Sequence, residues 1–412
     1  MQFHRHVLPN GLQILGEVNP SALSTAVGFF VRTGSRDEVE AESGVSHFLE
    51  HMLFKGTERR TAFDVNRDFD RIGADNNAFT SEENTVYHAS VLPEYLPDVV
   101  DVLADMLRPA LRQEDFDTEK GVIQDEIVRY EVQPAWSTYD HARKIYFGKH
   151  PLGQSILGSK ESIEALKREQ MLDYFNRRYV GSNILAVAAG RFQWDAFVEL
   201  ISKHCSHWPS GASGRQNRTQ ALGHGGIHAI HRPKVMQEYV MMWAPAPPAD
   251  SPLRYAAHIL TSIIGDYIGS RLYWALVDPG HADSADMGYY EYDAAGAFIT
   301  SYSCQPGKAN SNLTRVADVL AEVQIKGVTE EEVQLARTKL ASREVRASER
   351  TFRRMLGVGR DWTYLGQYRT LDEEIDAIDS VTTDTIRELL RQYPLQQTTT
   401  VGLGPVESLN GC

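Results

Sequence analysis

Two spacings of apolar residues alternate along the chain and divide it into strands and helices. Short apolar runs bounded by turn residues open the sequence: a first strand, a Pro9-Asn10-Gly11 turn and a second strand over 12–18 read as a β-hairpin. Runs at 26–31, 85–92 and 183–189 predict further strands. Between them, apolar residues recur every three to four positions over 43–54, 97–107, 116–130 and 162–179, which predicts helices. Strands and helices segregated in this way point to α+β layers.

After Trp208 the periodicity stops. The stretch Pro209-Ser210-Gly211-Ala212-Ser213-Gly214-Arg215-Gln216-Asn217 is small and polar and reads as the start of a linker over 209–225. It separates a first domain, 1–208, from a second, 226–412. Beyond it the order of elements recurs: strands at 227–230 and 238–243, a long helix at 253–264, strands between 287 and 303, then helices at 311–325 and 330–356. An internal duplication follows, with two domains of similar topology, each a mostly antiparallel sheet packed with helices.

A length of 412 residues accommodates two to three domains, and 42% hydrophobic with 24% charged residues is an ordinary globular composition. The net charge of −13 argues against nucleic acid or an anionic membrane as partner, and serves solubility in the simplest reading. Three cysteines, Cys205, Cys304 and Cys412, stand far apart without a paired motif, so neither a disulfide framework nor a thiolate metal site is expected. The opening Met1-Gln2-Phe3-His4-Arg5-His6 has no apolar run of signal length, and no apolar stretch of about 18 residues occurs. The compartment expected from this is the cytoplasm, or the periplasm if a leader has been removed.

Chemistry concentrates in the predicted helix at 43–54. Ser43 is a candidate N-cap and Gly56 a stop signal, while Val45, Phe48, Leu49, Met52 and Leu53 form one apolar stripe. His47, Glu50 and His51 centre on the opposite side. A lone helical histidine is usually a surface or satisfied core residue. Two at i and i+4 project side by side, with the spacing one metal ion needs, and the carboxylate before the second can reach a metal-bound water.

A catalytic zinc takes three protein ligands, so one more donor is required. On the helix at 116–130, Glu119 and Glu126 lie seven positions apart and share a face with Val122, Ile123 and Tyr130. Salt bridges or a wetter helix face are the plainer explanation of those two carboxylates.

The run His47-Phe48-Leu49-Glu50-His51-Met52-Leu53-Phe54-Lys55-Gly56-Thr57, followed by Asn77-Ala78-Phe79-Thr80-Ser81 and Glu119-Lys120-Gly121-Val122-Ile123-Gln124-Asp125-Glu126-Ile127, closely resembles the insulinase or pitrilysin family of zinc metallopeptidases. Within it the match is similar to the short bacterial branch related to mitochondrial processing peptidase. The resemblance is good through the first half and looser in the second. It implies one Zn2+ per chain, held by His47, His51 and Glu126, with Glu50 as general base for peptide hydrolysis and Glu119 as a carboxylate supporting a ligand. It also implies that the strand at 76–80 pairs its backbone with an extended peptide, so that Asn77, Ala78 and Phe79 bind substrate.

The second half departs from the family pattern. Relatives that work alone carry an arginine and, seven positions on, a tyrosine that bind the substrate carbonyl. Here the corresponding stretch, from Ser270-Arg271-Leu272 to Gly288-Tyr289-Tyr290, lacks the expected basic run, and Arg271, Tyr289 and Tyr290 are the candidates to replace the pair. The expectation is therefore a zinc-bearing subunit of a heterodimer whose homologous partner supplies arginine and tyrosine, with a homodimer as alternative. The rival readings are a non-catalytic scaffold relative and a metal-dependent peptide-binding module.

Overall fold

A computed structural model describes residues 1–212, 215, 221 and 223–410. Part of the expected linker, including Ser213, Gly214 and 216–220, lies outside the described residues.

The chain forms two compact units. The first combines Met1–Val128, Gln154–Asn217 and Arg346–Thr370, and the second combines Arg129–Gly153, Arg218–Val345 and Leu371–Cys412. Strands β1 (Gln2–Val7), β2 (Gln13–Val18), β3 (Thr25–Val31), β4 (Asp75–Thr80), β5 (Thr85–Val91) and β6 (Ile184–Gly190) belong to the first unit. The second holds β7 (Gly226–His231), β8 (Glu238–Pro245), β9 (Ser284–Tyr292), β10 (Ala295–Cys304) and β11 (Thr399–Gly404). The sheet orders are β1-β2-β6-β3-β5-β4 and β7-β11-β8-β10-β9. Setting β1 aside, they match strand for strand. The only parallel pairs among the described residues, β2 with β6 and β7 with β11, fall at the same place in both. The duplication expected from element order is present in the fold.

The opening hairpin pairs Gln2 with Val18 through Val7 with Gln13. Its turn needs Gly11, which sits at φ 89° and whose missing Cβ leaves room for Ser182. Asn10 Oδ1 accepts the Leu12 amide, and its Nδ2 donates to the carbonyls of Cys205 and Trp208, tying the turn to the end of a helix at Trp194–Cys205.

Each sheet is covered on both faces, which explains why β3 and β6 read as continuous apolar runs instead of alternating ones. In the first unit, one face packs against a large core including Val27, Phe29, Tyr87 and the apolar stripe of the helix Val45–Leu53. On the other face, Leu15, Phe30 and Val187 meet Met355 and Val358 of the helix Thr351–Leu365. In the second unit the backing helix is Pro134–Phe147, whose Ala142, Tyr146 and Phe147 pack with Trp243, Ala297 and Val401. Each half of the sequence thus lends one helix to the unit built mainly by the other, so the compact units do not follow a single cut in the chain.

Two long helices expected from periodicity are broken. The span 330–356 divides into Glu330–Ser348 and Thr351–Leu365, with Arg350 extended (φ −101°, ψ 117°) a few residues after the chain enters the first unit at Arg346. The span 162–179 divides into Lys160–Ala165 and Arg168–Arg178, because Leu166 is extended and turns its side chain into the core. Among the described residues no helix is long and apolar enough to cross a membrane.

Candidate metal centre

The helix carrying both histidines runs from Val45 to Leu53. Ser43 is not its cap. Gly44 occupies that position at φ 91°, where a Cβ would crowd the Leu157 carbonyl oxygen. The unsatisfied amides at the helix start go to a carboxylate 6–8 residues upstream: Gly44 N–H donates to Glu38 Oε2 (2.7 Å) and Ser46 N–H to Glu38 Oε1 (2.8 Å). Burial pushes the Glu38 carboxyl up to about 8, against the pull of those two amides. Ser46 Oγ also meets Tyr174 Oη at 2.7 Å, fixing the helix start to the helix Arg168–Arg178. Gly56 follows the far end at φ 109°, as a stop signal should.

The apolar stripe is fully buried, and it aims the opposite face at the helix Gln113–Glu131. There His51 Nε2 lies 3.4 Å and His47 Nε2 3.9 Å from Glu126 Oε2. One ligand atom from each of the three residues falls within 4.8 Å of the others, the only such group of His, Cys, Asp and Glu among the described residues. Donors about 2.0–2.2 Å from a tetrahedral zinc stand roughly 3.3–3.6 Å apart; the His51–Glu126 pair already has that spacing, the His47–Glu126 pair is slightly wider, and two imidazoles with a carboxylate suit the ion in chemistry.

The surroundings prepare the two rings differently. Burial, then the neighbouring His51, lowers the His47 pKa to about 3, which keeps that imidazole neutral with a lone pair to offer. His47 Nδ1 is buried without a hydrogen-bond partner among the described residues. His51 Nδ1 instead meets Glu119 Oε1 at 2.8 Å, and Lys55 Nζ reaches Glu119 Oε2 at 2.5 Å. Burial pushes His51 down, but the Glu119 hydrogen bond and the surrounding carboxylates outweigh it and hold the ring above its usual value. Burial likewise pushes Glu119 up, and His51 and Lys55 outweigh it, keeping the 2% exposed carboxyl below its usual range. A carboxylate on Nδ1 directs the other nitrogen, Nε2, toward Glu126 as an acceptor.

Glu119 and Glu126 share their face with Ile123 and Tyr130, as expected, whereas Val122 is 41% exposed and turned away. At 100° per residue Val122 lies at the margin of that face, and here the margin is wet.

Glu50, on the histidine side of its helix, is mostly buried, and burial raises its carboxyl pKa. Its Oε2 accepts a 2.5 Å hydrogen bond from Thr80 Oγ1 at the end of β4. β4 is the outermost strand of its sheet, paired with β5 alone. Asn77 and Phe79 are exposed on it and Ala78 is buried, so the three expected substrate contacts sit on an open edge of the sheet that carries the cluster. Lys55, Thr80 and Glu38 were missed from the sequence as site residues. Lys55 had a signal, since it stands four positions after His51, in the turn that follows the helix.

A cleft of about 660 Å3 lies elsewhere, between Arg59, Asp101, Arg108, His204 and Trp208. Within it Arg59 and His204 both pair with Asp101, and it includes none of His47, Glu50, His51, Glu119 and Glu126.

Residues 13–160 match the family described as Insulinase (Peptidase family M16), and residues 165–340 match the Peptidase M16 inactive domain. The chain belongs to the insulinase, or M16, peptidase family. This M16 chain is 31% identical over 420 residues to an uncharacterized zinc protease of Mycobacterium leprae, covering 98% of this chain and 92% of that one. It is 36% identical over 207 residues, half of this chain and 45% of the relative, to the mitochondrial-processing peptidase subunit beta of Saccharomyces cerevisiae. A protease from Helicobacter pylori shares the fold at a TM-score of 0.91 and 20% identity, covering 98% and 99% of the two chains, and a chain of complex III2 from Candida albicans does so at 0.85 and 17%, covering 98% and 96%.

In the second unit of the M16 chain, Arg271 and Tyr289, two of the residues expected to stand in for the arginine and tyrosine of relatives, have partners of their own. Arg271 is held in a two-pronged pair by Glu332, at 2.7 and 2.9 Å, and the Tyr289 hydroxyl donates to the Pro247 carbonyl at 2.8 Å.

Proposed function

We propose that this chain is a zinc-dependent endopeptidase acting on peptides or unfolded oligopeptides, with one zinc held by His47, His51 and Glu126. The observation that carries the reading is the convergence of His47 Nε2, His51 Nε2 and Glu126 Oε2 from two helices onto one point. Zinc bound there supplies Lewis acidity, acidifying a water and polarising a peptide carbonyl. Glu50, one residue from a ligand and raised in pKa by burial, takes the proton of the attacking water and returns it to the leaving amine. Glu119 holds the His51 ring in orientation, and Lys55 holds Glu119. An extended peptide adds to the open edge of β4 along Asn77, Ala78 and Phe79.

In this reading residues 1–208 are the catalytic domain, joined through a 209–225 linker to a second domain, 226–412, that encloses substrate and meets a partner. The internal pairing of Arg271 and Tyr289 supports a homologous partner subunit as the source of the carbonyl-binding pair. A scaffold role is the second reading, since a chain of complex III2 from Candida albicans has this fold. Retention of His47, Glu50, His51, Glu119 and Glu126 together favours the enzyme.

Metal analysis and peptide cleavage with Glu50→Gln test the proposal. Wild-type protein is expected to hold one zinc per chain and to cleave an unstructured peptide, alone or with a co-purifying homologue. The variant should keep the metal and lose cleavage about 10²–10⁴-fold. Cleavage equal to wild type removes Glu50 from the role of base.

A further inference from the structure

Thr80 joins the proposed base to the proposed docking strand. It is the last residue of β4, paired with Thr85 across the turn to β5. That turn is tightly held: Ser81 N–H donates to the Asn84 carbonyl at 2.8 Å, Ser81 Oγ accepts the Asn84 amide at 3.1 Å, and Thr85 Oγ1 donates to the Thr33 carbonyl at 3.0 Å. A β-branched side chain in a strand has few χ1 choices, so the direction of the Thr80 hydroxyl follows the backbone of β4. Along β4 the side chains alternate. Ala78 and Thr80 face the core that contains the histidine helix, while Phe79 faces His88 on the other side.

Glu50 has three side-chain torsions to fix, and Thr80 is its hydrogen-bond partner among the described residues. A hydroxyl donating at 2.5 Å to one carboxylate oxygen restrains the group and leaves the other oxygen to act. We infer that Thr80 is a positioning residue for Glu50: it holds Oε2, presents Oε1 to the proton of the attacking water, and ties the base to the strand on which the peptide docks. This rests on the reading of Glu50 as the base. A rigid strand end is a better support than a loop for such a function, because sub-ångström misplacement of a catalytic group is costly. The inference also accounts for a polar side chain at the inner end of β4, where Ala78 two residues earlier packs into the core.

The test compares Thr80→Val, which keeps the shape and removes the hydroxyl, with Thr80→Ser, which restores it. Zinc-loaded full-length protein, with any homologue that co-purifies, is assayed on a quenched fluorescent peptide for kcat and KM, alongside zinc content and thermal midpoint. Thr80→Val is expected to lower kcat about tenfold or more with KM within about twofold, zinc content unchanged and the fold intact. Thr80→Ser should recover most of kcat. A Thr80→Val kcat within about twofold of wild type overturns the inference, as does a serine variant no better than valine, or zinc lost in parallel with activity. Should wild-type protein fail to cleave any peptide, the proposed function falls by itself. The Thr80–Glu50 pairing is then judged by a thermal double-mutant cycle with Glu50→Leu, in which additive effects overturn it and coupled effects uphold it.

Discussion

In the first unit, the helix after β3 buries one stripe and turns His47, Glu50 and His51 toward a second helix bearing Glu119 and Glu126. In the second unit, the helix after β8, Arg254–Gly265, is buried at Ala256, Ala257, Ile259, Leu260, Ile263 and Ile264, and its one histidine, His258, packs edge-on against Tyr289. The sheets beneath them share strand order and the place of the parallel pair. A shared scaffold therefore supports a donor cluster in one copy, whereas the corresponding helix of the other serves packing. The fold supplies positions, and the side chains at a few of them decide whether there is chemistry.

Buried carboxylates make the same contrast on a smaller scale. Glu119 in the first unit has Lys55 and His51 on its two oxygens and is held ionised. Glu238 in the second, fully buried, accepts the Val406 amide, and burial raises its pKa. The first is braced to serve a neighbour; the second is a polar group that the core tolerates.

Substitutions can break this comparison. The largest effect is expected at the donor set: Glu126→Gln should reduce zinc from about one to below about 0.1 per chain by metal analysis, while Glu238→Gln should leave zinc content unchanged. Equal zinc in both variants would transfer the third donor to another residue, with Glu119 first in line. Next come the exchanged helices. Met355→Ala in the first unit and Phe147→Ala in the second each remove a fully buried side chain from a sheet face, and should cost about 2–5 kcal/mol in denaturant unfolding. A cost below about 0.5 kcal/mol for either would show that the helix is not needed to back that sheet.

A smaller change is expected at the brace. Glu119→Gln should weaken zinc affinity about 10–100-fold, measured by competition with a chelator, since Gln no longer holds His51 as strongly. The smallest effect is a pH dependence. The folded pKa of Glu238 is raised, so its contribution to stability is fully present below its unfolded value of 4.5 and is lost as pH rises through the folded value. Glu238→Gln does not titrate. Its thermal midpoint relative to wild type should therefore climb as pH is raised above about 4.5, and a constant difference between pH 4 and pH 9 would refute the assignment. Glu119 runs the other way: its pKa is depressed, so its contribution is present above 4.5 and is lost as pH falls through the folded value.

Much of the site was legible because it is local. His47, Glu50 and His51 lie within one and a half turns, and helical geometry alone brings them together opposite the stripe. Apolar runs announced β3 and β6, and the recurring order of elements announced the second sheet. Even the second helix showed Glu119 and Glu126 two turns apart, although not which of the two would face the histidines.

What the tertiary structure decided are contacts between residues far apart in sequence, which leave no periodic trace. Glu126 stands 75 positions from His51, and only packing brings its carboxylate within 3.4 Å of the ring. The capping of the histidine helix passed from Ser43 to Glu38 because Gly44 must lie close to the Leu157 carbonyl. Helices 134–147 and 351–365 exchanged sheets because each apolar face fits the sheet that the other half of the chain builds, and amphipathic spacing specifies a buried face without specifying its partner. The sequence by itself determined the donors; the structure decided which of them meet, through long-range burial that no local pattern encodes.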